Sequence, residues 1–273
     1  MIKRTVFLAV TTLCMLTAQA QIEKESKDFN SEINAQQIYK LAVNKGKLKI
    51  SIGNAIIEGY DGKELLISSK QQSKKEDERA KGLRPVYASG LEDNTGLGIN
   101  VVEKNGIVEI NQLNKMSSPT ITIKVPKNIM ISYEYQSMYG SQVIFRNITS
   151  EIEASSSYNS IQLENVTGPA TINSVYGEIV AKFSQQVKGP LSLVSIYGAV
   201  DVSVPKAAKA DVKVSTSFGE ILMAPELGLK VDQKTNTDSD LFEFNNQLNS
   251  KLNGGGTSFN FRSEYGKVYL RAL

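Results

Sequence analysis

The sequence contains no histidine, and its single cysteine, Cys14, lies near the amino terminus. Without histidine, the Ser-His and Cys-His nucleophilic systems are excluded, together with the commonest zinc ligand. Chemistry based on carboxylates remains, as in enzymes that cleave polysaccharides with two acidic side chains. Glu178 and Glu220 are the candidates for it, because each directly follows a glycine at the same position of a repeated phrase.

The repeat suggests how far apart these two carboxylates lie. If successive copies stack at the spacing of β-strands, Glu178 and Glu220 are two coils, or about 10 Å, apart, which is near the range of inverting glycosidases. Asp201 lies between them in the sequence, but in another register. The same position in the other copies holds Ser141, Ser160, Ala199 or Lys267. This variation indicates that the position lies on a solvated outer face of the fold. We therefore predict no catalytic residue, and we also expect no cofactor and no metal.

The repeated phrase consists of a small hydroxyl residue, any residue, an aromatic residue, and glycine or asparagine. It runs from Ser137 to Gly140, Ser156 to Asn159, Ser174 to Gly177, Ser195 to Gly198, Thr216 to Gly219 and Ser263 to Gly266. Its aromatic residues, Tyr139, Tyr158, Tyr176, Tyr197, Phe218 and Tyr265, are 19, 18, 21, 21 and 47 residues apart. A period near twenty that recurs in this way predicts a stacked, repetitive architecture.

The residues around each phrase predict a corner between two strands. Leu191, Leu193 and Ser195 share one face of an extended strand, and Val200 and Val202 then alternate in the opposite phase. This change of phase allows the apolar side chains on both sides of a bend to point into the same interior. The corner positions are Gly140, Asn159, Gly177, Gly198, Gly219 and Gly266. Glycine and asparagine tolerate a positive φ best, which predicts that conformation at these corners.

The sequence therefore predicts an all-β fold, a single-stranded β-solenoid (β-helix-like) with coils of about 18–21 residues. One coil buries too few side chains to offset its ordering entropy, so coils must stack. Alternation places the hydroxyl residues Ser137, Ser156, Ser174, Ser195, Thr216 and Ser263 in one internal ladder. It places the aromatic residues in another, at the core or corner. If they faced outward instead, they would form a carbohydrate platform, although the chain has no tryptophan.

The first twenty residues have the form of a signal peptide. Lys3 and Arg4 precede an apolar run, and Ala18-Gln-Ala20 is a small-residue cleavage signal. Cleavage before Gln21 would lower the formal net charge from +3 to +1 by removing two cations. A nearly neutral mature chain has no electrostatic footprint for nucleic acid. We expect an exported protein without a transmembrane segment in its mature form.

The predicted organisation is a signal peptide (residues 1–20), a flexible lead-in (residues 21–34) and a β-solenoid domain (residues 35–273). A charged loop at 70–84 and an inserted loop at 233–256 interrupt the domain. Val125-Pro-Lys127 precedes one aromatic residue of the phrase by the same interval as Val204-Pro-Lys206 precedes another. The repetition therefore begins before residue 137.

Three features together resemble a known family: the signal peptide, Gly59-Tyr-Asp-Gly62, and Leu252-Asn-Gly-Gly-Gly256 ahead of the last phrase. With the repeated phrase, they resemble the uncharacterised bacterial "putative adhesin" β-solenoid domain family, common in exported proteins of Bacteroidota. The resemblance covers about residues 35–273 and implies structural corners without catalytic residues. The family usually has an acidic residue after the corner glycine, which here only Glu178 and Glu220 retain.

These observations favour an exported, non-enzymatic module of the cell envelope or surface. The expected partner is an extended one, a glycan or an envelope protein, because a long repetitive face suits such ligands. The location is the periplasm, the cell surface or the extracellular space. Two alternatives stay open: a polysaccharide-active enzyme that uses surface carboxylates, and an accessory protein of envelope stress or assembly.

Overall fold

A computed structural model of the chain describes residues 38–43, 45–69, 78–83, 85–116, 119–230 and 246–273. The predicted signal peptide and lead-in lie outside these residues. Two short 3-10 turns are present, Glu78–Ala80 and Pro225–Leu227. The strands are β1 (Ile38–Ala42), β2 (Gly46–Ser51), β3 (Ala55–Tyr60), β4 (Glu64–Ser69), β5 (Ile99–Lys104), β6 (Ile107–Gln112), β7 (Ile121–Pro126), β8 (Ile129–Tyr135), β9 (Gln142–Arg146), β10 (Ile152–Ser156), β11 (Ser160–Val166), β12 (Ala170–Ser174), β13 (Ile179–Phe183), β14 (Leu191–Ser195), β15 (Val200–Val204), β16 (Ala210–Thr216), β17 (Ile221–Met223), β18 (Asn246–Leu252), β19 (Thr257–Ser263) and β20 (Val268–Ala272).

The strands form two ten-stranded sheets. Sheet A has the spatial order β1-β4-β7-β3-β9-β11-β13-β15-β20-β17, and sheet B has the order β18-β16-β19-β14-β12-β10-β8-β2-β6-β5. Pairing is parallel throughout the middle of both sheets, antiparallel at three of the four edges, and parallel at the fourth, where β17 pairs with β20. The prediction of an all-β solenoid is confirmed.

Each coil contributes one strand to sheet B and then one to sheet A, and thus forms one rung of the stack. Six of the eight turns from sheet B to sheet A contain the repeated phrase, and we name this edge of the stack the aromatic corner. The chain returns from sheet A to sheet B through a second edge, the return corner. Pro126 and Pro205 lie at the return corner, where the sheet A strands β7 and β15 end. The predicted extension of the repetition before residue 137 is therefore correct.

The interior is built by period-two alternation on both sides of the aromatic corner. In β12, Ala170, Ile172 and Ser174 are buried, while the residues between them are exposed. In β13, Ile179 and Phe183 begin and end the buried row of the opposite phase. Both rows face the space between the sheets, because the corner between them rotates the chain. The predicted change of phase across the corner is what encloses the core.

The spatial order of the coils differs from their order in the chain. The coil β19–β20 is inserted between β14–β15 and β16–β17. At the other end, the coil β2–β3 lies between β6–β7 and β8–β9. The long interval before the sixth phrase therefore includes β17, which completes the end coil, and the edge strand β18. The chain then continues into β19–β20, which lies inside the stack.

Antiparallel strands close three of the four sheet edges. Strand β18 pairs with β16, β5 pairs with β6, and β1 pairs with β4, which itself pairs with β7. The fourth edge is β17, which has three residues and is soon followed by Pro225. Short edge strands and proline both limit edge-to-edge aggregation.

Two predicted loops lie partly within the described residues. Residues 246–252 of the predicted inserted loop (233–256) form the edge strand β18, because their backbone completes sheet B beside β16. Residues 231–245 lie outside the described residues. In the predicted charged loop (70–84), Glu78–Ala80 forms a 3-10 turn, and residues 70–77 and 84 lie outside the described residues.

Candidate interaction surface at the aromatic corner

The hydroxyl residues of the phrase lie inside the corner. Ser156, Ser174, Ser195, Thr216 and Ser263 are buried, and Ser137 in the first copy is half-buried. The Ser195 Oγ donates to the carbonyl of Gly177 on the next rung (3.1 Å) and accepts from the amide of Gly198 (3.0 Å). Thr216 and Ser263 make the same pair of hydrogen bonds. In these three copies the hydroxyl thus closes its own turn and bonds it to the neighbouring rung, whereas the Ser156 Oγ accepts only from the Asn159 amide of its own turn (2.9 Å) and the buried Ser174 Oγ has no hydrogen-bond partner among the described residues.

The corner glycines are required for a reason other than the one predicted. None of Gly140, Gly177, Gly198, Gly219, Gly266 and Asn159 has a positive φ, so that prediction is wrong. The turns instead approach each other too closely for a side chain. A Cβ on Gly198 would lie 2.2 Å from the carbonyl oxygen of Gly177, and one on Gly219 would lie 1.9 Å from that of Gly266. Stacked turns leave room only for hydrogen at these positions.

Asn159 is a buried exception to this rule. Its Nδ2 donates to the Gly53 carbonyl (2.5 Å) and to the Tyr133 hydroxyl (3.0 Å), and that hydroxyl donates to the Ile52 carbonyl (3.0 Å). Burial raises the pKa of Tyr133, an effect that the hydrogen bond from Asn159 opposes. The asparagine side chain fits because the first copy has one extra residue in its turn before β9. The extra residue lengthens the turn and adds no β-bulge to β9, since the pairing of β9 with β11 continues without a register shift.

The aromatic side chains form an exposed column along this corner. In spatial order the column is Tyr158, Tyr176, Tyr197, Tyr265 and Phe218, with ring centroids 5.0–5.2 Å apart and planes within 7–16° of parallel. We name it the aromatic ladder. Its members are 47–62% exposed. The prediction that these residues belong to the buried row is wrong, because they lie in turns, beyond the last residue of each sheet B strand.

Tyr139 in the first copy is as exposed as the ladder, at 52%, but it is not a member of it. Among the described residues, no ring contact joins it to Tyr158. The turn that contains Tyr139 is one residue longer than the turns of the ladder, and its ring lies outside the column. The ladder thus has five rings, and Tyr139 is an equally exposed tyrosine next to its end.

Neighbouring rings cover the faces of the three inner rings. Tyr176, Tyr197 and Tyr265 each stack between two partners. What the inner part of the ladder offers to a ligand is therefore a row of ring edges and phenol hydroxyls. A tyrosine edge of this kind is apolar along its length and polar at its tip.

The flanks of the ladder change character along its length. Beside Tyr176 and Tyr197 lie Val175, the 39%-exposed Ile196 and Ala199. Toward Phe218 the flanks are charged, and Lys267 pairs with Glu220 at 2.7 Å. The hydrogen bond and charge of Lys267 lower the pKa of Glu220, which keeps this carboxyl ionised. Beside the middle rings, the flank of Val175 and Ile196 is therefore apolar, whereas the other flank also carries the exposed Glu178.

The candidate carboxylates of the sequence do not form a pair. The order of the coils places Glu178 and Glu220 three rungs apart, with Ala199 and Lys267 between them. Three rungs correspond to roughly 14 Å, which exceeds the separation used by glycosidases. The predicted distance of two coils was wrong because the last coil is inserted between them. Asp201 lies on the outer face of sheet A, where both its oxygens accept from Arg271 (2.7 and 2.9 Å).

A separate groove of ≈ 690 Å³ crosses the outer face of sheet A. It contains two carboxylates that sequence reasoning did not bring together, Asp201 and Glu164. Each is already paired with an arginine, Asp201 with Arg271 and Glu164 with Arg146. Both carboxylates of the groove are thus already occupied by an ion-pair partner. Among the described residues, no group of histidine, cysteine or acidic side chains could hold a metal ion.

The backbone of the aromatic corner is occupied by bonds between rungs. The amide of Tyr176 donates to the Ser157 carbonyl (2.9 Å), and that of Tyr197 donates to the Val175 carbonyl (2.8 Å). The amides of Tyr265 and Phe218 also donate to the neighbouring turn. A ligand at this corner therefore meets side chains, since these amides are not free to pair with an added strand.

Residues 141–253 match the family model described as Toastrack DUF4097. This match confirms the resemblance to an uncharacterised domain family over these residues. The Toastrack match includes four of the six phrases, those that end at Asn159, Gly177, Gly198 and Gly219. None of the curated proteins compared with the chain matches it.

Two solved structures are similar to the chain at 13% sequence identity. One is described as a "putative cell adhesion protein" from Clostridium sporogenes, with a TM-score of 0.43 over 87% of this chain and 100% of that chain. The other is described as a "putative adhesin" from Bacteroides fragilis, with a TM-score of 0.35 over 87% of this chain and 97% of that chain. In the part of the chain that the structure describes, no helix is long and apolar enough to cross a membrane.

Proposed function

We propose that the chain is an exported, non-enzymatic interaction module of the cell envelope or surface, and that the aromatic ladder is its binding surface. The observation that carries this proposal is the exposure of five stacked aromatic rings on one edge of the solenoid. Exposed aromatic side chains in a continuous row are typical of interaction sites. The signal-peptide pattern of residues 1–20 supports export.

The periodicity of the ladder favours an extended partner. Four spacings of 5.0–5.2 Å give a row roughly 20 Å long. A compact small molecule would meet only one or two rings of such a row. A chain-like partner would meet all five, so its affinity would accumulate along the ladder.

Binding to isolated bacterial envelopes tests this proposal. We expect the purified protein to sediment with envelopes, and the double variant Tyr176→Ala/Tyr197→Ala to lose most of this binding. Tyr139→Ala is the matched control, because it removes an equally exposed tyrosine from outside the ladder. Equal binding by all three proteins would contradict the assignment of the ladder.

Export is tested separately. We expect the protein expressed with its own leader to be recovered outside the cytoplasm, with Gln21 as its first residue by amino-terminal sequencing. Recovery of an intact Met1 in the cytoplasm would contradict export.

The enzyme alternative is tested on the same material. Incubation with polysaccharides should release no reducing sugar. Release by the wild type that Glu178→Gln abolishes would replace the interaction module by a polysaccharide-active enzyme.

A further inference from the structure

We propose that the ligand of the aromatic ladder is a neutral, extended polysaccharide chain that lies along the ladder, parallel to the axis of the stack. This inference rests on the proposed function and names the class of its partner. It depends on four properties of the corner: its repeat, its chemistry, its charge and its occupied backbone.

The repeat of the ladder requires a ligand with a repeat of its own. Each rung presents one ring edge, and four of the five rungs also present a phenol hydroxyl, from Tyr158, Tyr176, Tyr197 and Tyr265. The spacing of 5.0–5.2 Å is comparable with the rise per sugar along an extended polysaccharide chain. Successive sugars of an extended chain can therefore meet successive rungs.

The chemistry of the ladder matches that of sugars. A pyranose has apolar C–H groups and hydroxyls on the same small ring, and the tyrosine edge combines the same two properties. Beside the middle rings, Val175 and Ile196 supply additional apolar surface. Phenol hydroxyls both donate and accept hydrogen bonds, as sugar hydroxyls do.

The charges around the ladder favour a neutral ligand. Lys267 is paired with Glu220, and Glu178 is an exposed acid on the same flank. On the other flank Glu264 pairs with Arg262, and hydrogen bonds from Ser217 and Arg262 lower the pKa of Glu264. This arrangement provides no row of unpaired cations among the described residues of the corner, as a polyanion would require.

The occupied backbone disfavours a peptide ligand. Strand addition needs free amide and carbonyl groups at a sheet edge, whereas the amides of Tyr176, Tyr197, Tyr265 and Phe218 donate to the neighbouring rung. The ligand must be recognised by side chains alone. This suits a carbohydrate, which binds through C–H groups and hydroxyls.

Affinity electrophoresis and sedimentation test the inference with the protein purified after expression with its own leader. The probes are the neutral polysaccharides cellulose, chitin and β-1,3-glucan, with alginate as a polyanion. We expect saturable binding to at least one neutral polysaccharide that persists at high salt. Tyr176→Ala/Tyr197→Ala should weaken it by at least about tenfold, while Tyr139→Ala should change it by less than about twofold.

A second variant protects the test against loss of folding. Replacing Tyr176, Tyr197 and Tyr265 by phenylalanine keeps the stacked rings and removes their hydroxyls. We expect this variant to melt like the wild type and to bind the neutral polysaccharide several-fold more weakly. Wild-type affinity in this folded variant would contradict the role of the hydroxyls.

The remaining outcomes each overturn the inference. Binding to alginate alone would indicate a polyanion site. Ladder-dependent binding to phosphatidylcholine vesicles would indicate a membrane surface, and ladder-dependent dimerisation in sedimentation velocity would indicate a second copy of the chain. If envelope binding depends on the ladder and is abolished by protease, while the protein binds none of the neutral polysaccharides, the carbohydrate inference fails and the proposed function stands. If the protein binds neither envelopes nor polysaccharides, both the carbohydrate inference and the proposed function fail.

Discussion

Each corner glycine lies where two neighbouring rungs approach each other most closely. At Gly198, the neighbouring carbonyl occupies the place where a Cβ would stand, and the Ser195 hydroxyl accepts from the glycine amide. The sequence identifies these positions by their recurrence. It does not distinguish close approach from positive φ, because glycine satisfies both requirements. Asn159 shows the difference, since it occupies a corner with a negative φ and a buried side chain.

Two alanine substitutions separate these two roles of glycine. Gly198→Ala places a methyl carbon 2.2 Å from the Gly177 carbonyl oxygen, so we expect a loss of about 3 kcal/mol or more in the free energy of unfolding. Gly228 has a φ of +61° and nothing within 4 Å of its Cβ position, so Gly228→Ala should cost only about 1–2 kcal/mol. Urea denaturation measures both. Equal costs would contradict close approach as the constraint on the corner.

The buried hydroxyl of Tyr133 predicts a loss of stability at alkaline pH. Burial raises its pKa in the folded protein, whereas the unfolded side chain ionises near pH 10. Below that pH both states are protonated and the full stability is present. As pH rises further, only the unfolded state loses its proton, so the free energy of unfolding should fall by up to about 1.4 kcal/mol per pH unit.

Tyr133→Phe provides the comparison for this pH dependence. The variant lacks the hydrogen bonds to Ile52 and Asn159, so we expect it to be less stable at neutral pH. Its stability should decline less steeply than that of the wild type between pH 9 and 11, as measured by urea denaturation. Parallel profiles would show that Tyr133 does not carry the alkaline sensitivity.

At the scale of elements, the strands could be predicted from the sequence, and the direction of the aromatic side chains could not. Period-two alternation describes β14 and β15 correctly, since both keep their buried rows. It fails for Tyr197, because β14 ends at Ser195 and the following residues are in a turn. Outside a strand, neighbouring side chains no longer alternate between two faces. The ladder is therefore exposed, although its spacing in the sequence was recognised.

The ladder also contributes to stability as an element. Tyr197→Ala removes two ring contacts and Phe218→Ala removes one. At about 0.5–1.5 kcal/mol per aromatic pair, the inner substitution should cost roughly twice as much as the outer one. The chain has no tryptophan, so near-UV circular dichroism reports on its tyrosines directly. Equal losses of stability and of near-UV signal would indicate that the rings act independently.

At the scale of the whole molecule, the order of the coils could not be predicted. Every coil presents similar parallel edges, so the periodicity does not specify which neighbour follows which. Only the long interval between Phe218 and Tyr265 indicated an interruption, and it was interpreted as a loop. In the structure, part of that interval forms the edge strand β18. The last coil, β19–β20, then lies between β14–β15 and β16–β17.

Truncation tests this insertion. A chain that ends at Gly256 lacks β19 and β20, so β14 loses the strand that separates it from β16, and β17 loses its partner β20. We expect residues from 191 onward to become sensitive to proteolysis, because an interior coil has been removed. In a solenoid whose coils stack in chain order, the same deletion would remove only an end coil. Protection of this region equal to that of the wild type would contradict the interleaved order.

The central claim is that the aromatic ladder is the surface on which this protein meets its partner. Hydroxyl-radical footprinting of tyrosines, with and without bacterial envelopes, tests it most directly. We expect envelopes to protect Tyr176, Tyr197 and Tyr265 while Tyr269, on the outer face of sheet A, reacts as before. Protection of the outer sheet faces with unchanged reactivity of the ladder tyrosines would contradict the claim.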